Sequence, residues 1–340
     1  MQKISTRRCP AAGDLHARVL DFCDEHQLLA SGTTVITGLS GGPDSTFLLH
    51  LLVRVREGRN LRLIAAHLDH GWRERSREDA AFCKEQAEAL RVPFVQGHAR
   101  DFLPPTEGQI KVSEAAGRAA RRSFFEQLAR EEEAHAIALA HQADEQLETF
   151  FVRLLRGSGV TGLAGIRARQ GAYIHPLLPL RKAAMLAWLE EEKIPYLTDP
   201  SNGELRFLRN RIRHGLVPAL QAADHRFEAS LARTMALLGD ADEYIAREVR
   251  AHLLALLTTD GNRRLLDIKK LFTLHPFLRD QVVLSWLIEG QVPFTPSRDF
   301  VAEVIRFLAT GRGGTHTLYG SWRIVKKQCY ACIERCGPGI

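Results

Sequence analysis

At 340 residues, 45% hydrophobic and 25% charged, the chain has the composition of an ordinary globular protein with room for about two domains with buried cores, and it carries no internal repeat or low-complexity tract. No run approaches the roughly 18 apolar residues of a membrane span, the amino-terminal stretch lacks a signal-peptide apolar core, and six scattered cysteines make no secreted disulfide framework. A cytoplasmic location with no membrane partner is expected. The net charge of +6 is concentrated, because Phe151–Arg213 holds eleven Lys/Arg against five acids, an excess that favours a polyanionic partner such as RNA over a merely solvated face.

Between about Thr33 and His141, short apolar runs ("TTVITGLS", "LRLIAAHLDH", "VPFVQGHA", "HAIALAHQ") alternate with helical patterns ("TFLLHLLVRVREG", "SREDAAFCKEQAEAL", "SEAAGRAARRSFFEQLAREEEA"). Such alternation predicts βαβ units and a parallel sheet, and near-continuous apolar strands fit a sheet covered on both faces. Ligands in open sheets of this kind bind beyond the carboxyl ends of the strands. Three polar stretches stand there: Ser40–Ser45, His67–Arg73 and His141–Glu148. A glycine-punctuated loop "RGSGVTGLAGI" follows, then a strand "AYIHPLL", a helix "RKAAMLAWLEEEKI" and a turn cluster Asp199–Gly203. Residues 207–238 read as helical and basic. The remainder reads as helices at "FLRDQVVLSWLIEG" and "SRDFVAEVIRFLAT" with short strands around "THTLYG" and "SWRIVKKQCYACI". The expected division is an α/β catalytic domain over 1–215 and a mainly helical region over 216–340.

The chemistry starts in "GLSGGPDST", a glycine turn between an apolar strand and an apolar helix. Gly41 and Gly42 let the backbone approach an anion closely, Ser40 and Ser45 add hydroxyls, and the first amides of the following helix point at the same place. The loop lacks the lysine of a Walker A motif and carries Asp44 where the helix begins, which suits a bound Mg²⁺ bridging to phosphate. Asp144 and Glu148, four apart, share one helix face, with His141 just before its first turn. Arg209 and Arg213 also line up on a helix and can grip phosphates bidentately. His67 and His70 lack companions for a zinc site and read as donors toward nucleotide or as local structure. Cys329, Cys332 and Cys336 read as ordinary reduced thiols.

"SGGPDS" resembles the pyrophosphate-binding loop of the N-type ATP pyrophosphatases, or PP-loop superfamily, which activates a carbonyl oxygen by adenylation. "HLDHGWR", "HQADEQLET", "RGSGVTGLAGI" and "DPSNGELRFLRNRIRH" together resemble the tRNA(Ile)-lysidine synthetases, in order over about Val35–His214. Departures are Glu145, where that family has Asp, and Arg122, where an aromatic is common. The resemblance implies an adenine nucleotide alpha hydrolase-like domain with ATP and Mg²⁺ as cofactors. It implies a ligase that adenylates the C2 oxygen of the wobble cytidine of tRNA(Ile) with a CAU anticodon, releases pyrophosphate and joins free L-lysine at C2, changing codon reading from AUG to AUA. It places Ser40, Gly41, Gly42, Pro43, Asp44, Ser45, His67 and Arg118 near the nucleotide, Asp44 and Asp144 at the metal, and His141, Asp144 and Glu148 where lysine and cytidine meet. Arg121, Arg209 and Arg213 fall to substrate or tRNA. Rivals are a tRNA cytidine thiolase, whose cysteine pairs have no counterpart between Thr33 and His214, and a nucleotide-sensing RNA-binding protein without turnover. The sequence is silent on oligomeric state and leaves a homodimer open.

Overall fold

The computed structural model describes residues 12–71, 76–103, 114–198, 207–261, 263–293 and 297–335. Trp72 and Arg73, the turn cluster from Asp199 and Cys336 lie outside them. Two compact units emerge, Met1–Ala236 and Leu237–Ile340; the expected boundary at 215 falls inside the first.

In the first unit a helix α1 (Ala12–Glu25), which the pattern of the sequence did not announce, precedes the alternation. Then come β1 (Thr34–Gly38), α2 (Pro43–Val55), β2 (Arg62–Asp69), α3 (Ser76–Ala89), β3 (Phe94–His98), α4 (Glu114–Glu131), β4 (Ala136–Ala138) and α5 (Ala143–Leu155). After a single turn α6 (Val160–Leu163), an antiparallel pair β5 (Arg169–Gln170) and β6 (Tyr173–Ile174) leads to α7 (Lys182–Glu191). Helices α8 (Leu208–Arg211) and α9 (Val217–Ala223) follow, with a π-helical turn Ile212–Leu216 between them, and then α10 (Phe227–Leu256), whose residues beyond Ala236 belong to the second unit.

The sheet order is β3-β2-β1-β4-β6-β5, with the first five strands parallel and β5 reversed at the edge. The expected parallel sheet is therefore present, and its order reverses at β1, where β2 lies on one side and β4 on the other. That reversal puts the loops after β1 and β4 together at the carboxyl edge, the place where open sheets bind ligands. One face of the sheet packs on α1, α2 and α7 through Val19, Phe47, Leu51, Met185 and Trp188; the other packs on α4 through Phe124, Phe125 and Leu128. Ile36, Ile64 and Ile137, all within 1% exposure, seal the second face.

In the second unit, β7 (Leu257–Asp260) and β8 (Arg263–Asp267) precede α11 (Ile268–Leu271), α12 (Pro276–Glu289) and α13 (Arg298–Ala309). Strands β9 (Gly314–Thr317), β10 (Trp322–Lys327) and β11 (Tyr330–Arg335) complete an antiparallel sheet in the order β7-β8-β11-β10-β9. The two expected helices and the strand-rich end are found; β7 and β8 are additional, because "TTDGNRRLL" is too polar to alternate clearly. Ser297 caps α13, accepting from Phe300 N at 3.2 Å, and buried Lys326 donates to the terminal carbonyl of Leu308 at 2.6 Å. Cys329 and Cys332 are free thiols.

Candidate active site

The loop after β1 turns sharply. Gly41 has φ +79°, and a Cβ there would sit 2.7 Å from Leu197 Cδ1, so both its conformation and its neighbours demand glycine. The Leu197 amide donates to Gly41 O at 2.8 Å, and Gln86, bridging Thr46 and Pro195 O, braces the same strip of chain. Gly42 is different: its Cβ would meet only Ser40 Oγ at 3.5 Å, and it lines the cavity, so its bareness serves whatever enters there. Ser45 Oγ accepts from Ser40 N at 3.1 Å and donates to Gly42 O at 3.0 Å, closing the loop on itself. Gly42 caps α2 without any side-chain hydrogen bond and Pro43 holds the first helical position, so the next amides of α2 face the opening.

That opening is a cavity of about 210 Å³ lined by loop residues Ser40, Gly42, Pro43, Asp44 and Ser45 and, across from them, by Gln142, Glu145, Lys182, Leu197 and Arg213. Asp44 Oδ2 lies 3.4 Å from Lys182 Nζ, while Oδ1 is buried with no hydrogen-bond partner. Burial raises the Asp44 carboxyl above the ordinary range, and Lys182 and Arg213 offset only part of that. A buried carboxylate oxygen with nothing to bind fits a cation, and the adjoining amides fit the anion that would share it. Among the described residues no cluster of three or more His, Cys, Asp or Glu is arranged to hold a metal, so such a cation would complete its shell with water and phosphate oxygens, as Mg²⁺ commonly does.

Helix α5 begins with Gln142, whose side chain is 1% exposed in its residue and accepts from Asp144 N at 2.6 Å. Asp144 turns away from the cavity. Its Oδ1 takes the Arg181 guanidinium and its Oδ2 the backbone amide of Lys182 at 2.8 Å, and Arg181 also binds Glu228 at the start of α10. In this geometry Asp144 fixes the start of α7, while Asp44, which lines the cavity, keeps an oxygen with neither a hydrogen bond nor an ion-pair partner among the described residues. Glu148 is 1% exposed and sits against Arg213 Nε at 2.6 Å and Arg209 Nε at 3.4 Å. The expected face shared by two carboxylates is thus a face of two ion-paired ones, each facing arginine, with Glu148 Oε2 held by charge at 3.4 Å and accepting no hydrogen bond.

Glu145, read from the sequence only as a departure, faces the cavity. Burial pushes its carboxyl up to about 7, against a partial offset from Arg209. The sign of its effect on stability follows from that rise. The unfolded carboxyl ionises through its ordinary 4.5 and the folded one through about 7, so stability falls as pH climbs through this window and stays lowered above it. Glu145→Gln is therefore expected to match the parent below pH 4 and to exceed it by about 3 kcal/mol at pH 8. Urea unfolding at both pH values checks this; an equal difference at the two would refute the burial of that charge.

The remaining sequence candidates lie around the cavity without lining it. His67 holds Leu39 O through Nδ1 at 2.8 Å, which supports the residue leading into the loop. Arg121 meets His70 at 3.0 Å and Arg118 is exposed on the same helix α4. His141 stacks edge-on against His175 at 4.8 Å and is pushed down to about 3 by burial and that neighbour, so it is a neutral imidazole. The concentration of arginines proved partly internal: Arg153 binds Gly162 O and Gly165 O, Arg169 binds Gln27 O and Leu28 O, and Arg181, Arg209 and Arg213 hold acids. Gln142, Lys182 and Leu197 went unnoticed in the sequence; only the Arg181-Lys182 pair at a helix start offered any signal.

Residues 14–220 match the family model described as the PP-loop domain. The chain is 38% identical to a tRNA(Ile)-lysidine synthase of Geobacter sulfurreducens over 69% of its own length and 50% of that protein. It is 34% identical to one of Chlorobaculum tepidum over 69% of its length and 72% of that protein, and 32% identical to one of Bacillus licheniformis over 79% and 58%. The chain thus spans about half the length of several curated relatives it matches. Among solved structures, the U34-tRNA thiolase NcsA from Methanococcus maripaludis with its [4Fe-4S] cluster aligns at TM-score 0.57 and 20% identity, over 67% of this chain and 79% of that one, a likeness of fold.

Proposed function

The chain belongs to the PP-loop domain family and to the tRNA(Ile)-lysidine synthases within it, and from that premise we propose that it joins L-lysine to C2 of the wobble cytidine of tRNA(Ile) with a CAU anticodon at the expense of ATP. The observation that carries this reading is the cavity in which the uncapped start of α2 and the unpartnered oxygen of Asp44 face Glu145. A carbonyl oxygen is a poor leaving group, so C2 must be activated before an amine can displace it. The cytidine oxygen attacks the α-phosphorus of ATP, pyrophosphate departs, and the lysine ε-amine then displaces AMP.

Loop amides and the Ser40 hydroxyl donate to the departing oxygens, preorganised charge stabilisation of the kind that dominates such steps, while Ser45 holds the loop closed. Mg²⁺ held at Asp44 would neutralise part of the leaving group's charge. Glu145, with its carboxyl near 7, can take a proton from the ε-ammonium as the amine becomes a nucleophile. Glu148 holds Arg209 and Arg213 at the cavity edge, and His67 and Gln86 hold the loop. The wobble base, in a single-stranded loop, can be splayed into the opening.

The thiolase alternative needs a reactive thiol. Among the described residues of the first unit the cysteines are Cys23 and Cys83, both pushed up to about 12 by burial, which leaves them protonated and poor nucleophiles. Incubation with ATP, Mg²⁺, labelled lysine and unmodified CAU tRNA is expected to place label in the RNA with one pyrophosphate released per lysine. Label absent from the RNA, with a sulfur donor or another amine consumed instead, would overturn the reading.

A further inference from the structure

The phosphate loop carries no cation of its own: no Lys or Arg occurs from Gly38 to Thr46. Yet the pyrophosphate end of a nucleotide brings the largest charge the cavity would have to receive, and helix amides and hydroxyls give only partial charges to meet it. Among the described residues, two cations reach the cavity from elsewhere in the chain, Arg213 and Lys182. Arg213 is committed, with its Nε on Glu148 Oε1 at 2.6 Å. Lys182 is not committed in that way. Its ammonium is 3.4 Å from Asp44 Oδ2, a long contact for a group with three strong donors, and its side chain keeps 34% of its exposure.

The base of this side chain is fixed. Lys182 N donates to Asp144 Oδ2 at 2.8 Å, and the preceding Arg181 is tied to both Asp144 and Glu228, so the stem starts from an anchored point and only its tip is free to move. We propose that Lys182 is the polyphosphate-binding cation of this site: its ammonium leaves Asp44 and grips the oxygens of the β- and γ-phosphates of ATP, and afterwards those of pyrophosphate. The assignment rests on the ATP-dependent reading above and adds a residue to it. Charge stays matched throughout. At rest Lys182 and Asp44 neutralise each other; with nucleotide present, Asp44 faces the divalent cation and Lys182 faces the phosphates. The start of α7 thereby supplies what a Walker loop carries within its own turn.

A different role is conceivable on charge grounds, in which Lys182 serves only as counter-ion to Asp44, and the test separates the two. Titration calorimetry with inorganic pyrophosphate is run on the full chain, on Lys182→Met and on Lys182→Arg, with Mg²⁺ and again with EDTA. Lys182→Met is expected to weaken pyrophosphate binding at least about tenfold in both conditions, the loss typical of one charge-assisted hydrogen bond, while Lys182→Arg recovers most of it. AMP, which lacks the β- and γ-phosphates, should bind the variants within twofold of the parent. The same Lys182→Met change in an Asp44→Asn background should still weaken pyrophosphate tenfold. Loss of the effect in that background would reduce Lys182 to a counter-ion and overturn the proposal, as would unchanged pyrophosphate binding or an equal loss for AMP. A parent protein that binds neither ATP nor pyrophosphate would instead overturn the ATP-dependent reading itself.

Discussion

Asp44→Asn is expected to lower pyrophosphate release by about 10²- to 10³-fold, the range seen when one element of preorganised charge stabilisation is removed, while binding of tRNA changes less than twofold. The substitution keeps the shape of the side chain, so the loop, closed by Ser40 and Ser45 and braced by Leu197, should stand. What it removes is the negative charge on a buried oxygen that has no partner within the protein. Burial already makes that charge costly, as the raised carboxyl shows; Lys182 and Arg213 offset part of the cost, and a cation brought with the substrate would offset more. A coupled pyrophosphate assay beside filter binding of tRNA reads both quantities. Turnover within threefold of the parent would take Asp44 out of the reaction.

Glu148→Ala is expected to cost about 3–5 kcal/mol of stability, the loss typical of removing one partner from a buried ion pair. Its carboxylate is 1% exposed and faces two guanidinium groups, with Arg213 Nε at 2.6 Å and Arg209 Nε at 3.4 Å; Arg209 also binds Thr149 at 3.1 Å. Without the acid, two cations stand together beside α5. Arg213 then loses the hold that keeps it at the cavity edge, so ATP affinity should fall along with stability. Urea midpoints of the single variant and of Glu148→Ala with Arg213→Met separate the parts: the double substitution should be less destabilised than the sum of the two alone. A cost below about 1 kcal/mol for Glu148→Ala would mean that the arginines find other partners, and would refute the pairing as a structural requirement.

Both predictions concern residues that the sequence marked, and in both the structure supplied the reason. Asp44 was legible because it stands in a short loop between a strand and a helix, where local order fixes what faces outward. Glu148 was legible as an acid on one face with Asp144, yet its role was not. Four-residue spacing states that two side chains share a helix face, and it says nothing of what packs on that face. Arg209 and Arg213 come from a helix some sixty positions later in the chain. The same limit hid Lys182, whose approach to Asp44 joins residues 138 apart. It also hid Glu145, which became a cavity residue only when α7 and α8 closed over α5.

By itself, then, the sequence determined the parallel α/β architecture, the position of the phosphate loop and the family, since each rests on local periodicity or on contiguous motifs. Composition and charge went no further than naming a basic segment, because counting charges does not reveal that Arg153, Arg169, Arg181, Arg209 and Arg213 are bonded to partners within the chain. The tertiary structure alone decided which carboxylates are already matched and which retain an unused oxygen. That distinction depends on pairings between distant elements, where burial makes an unmatched charge expensive and so determines which one is left for a ligand.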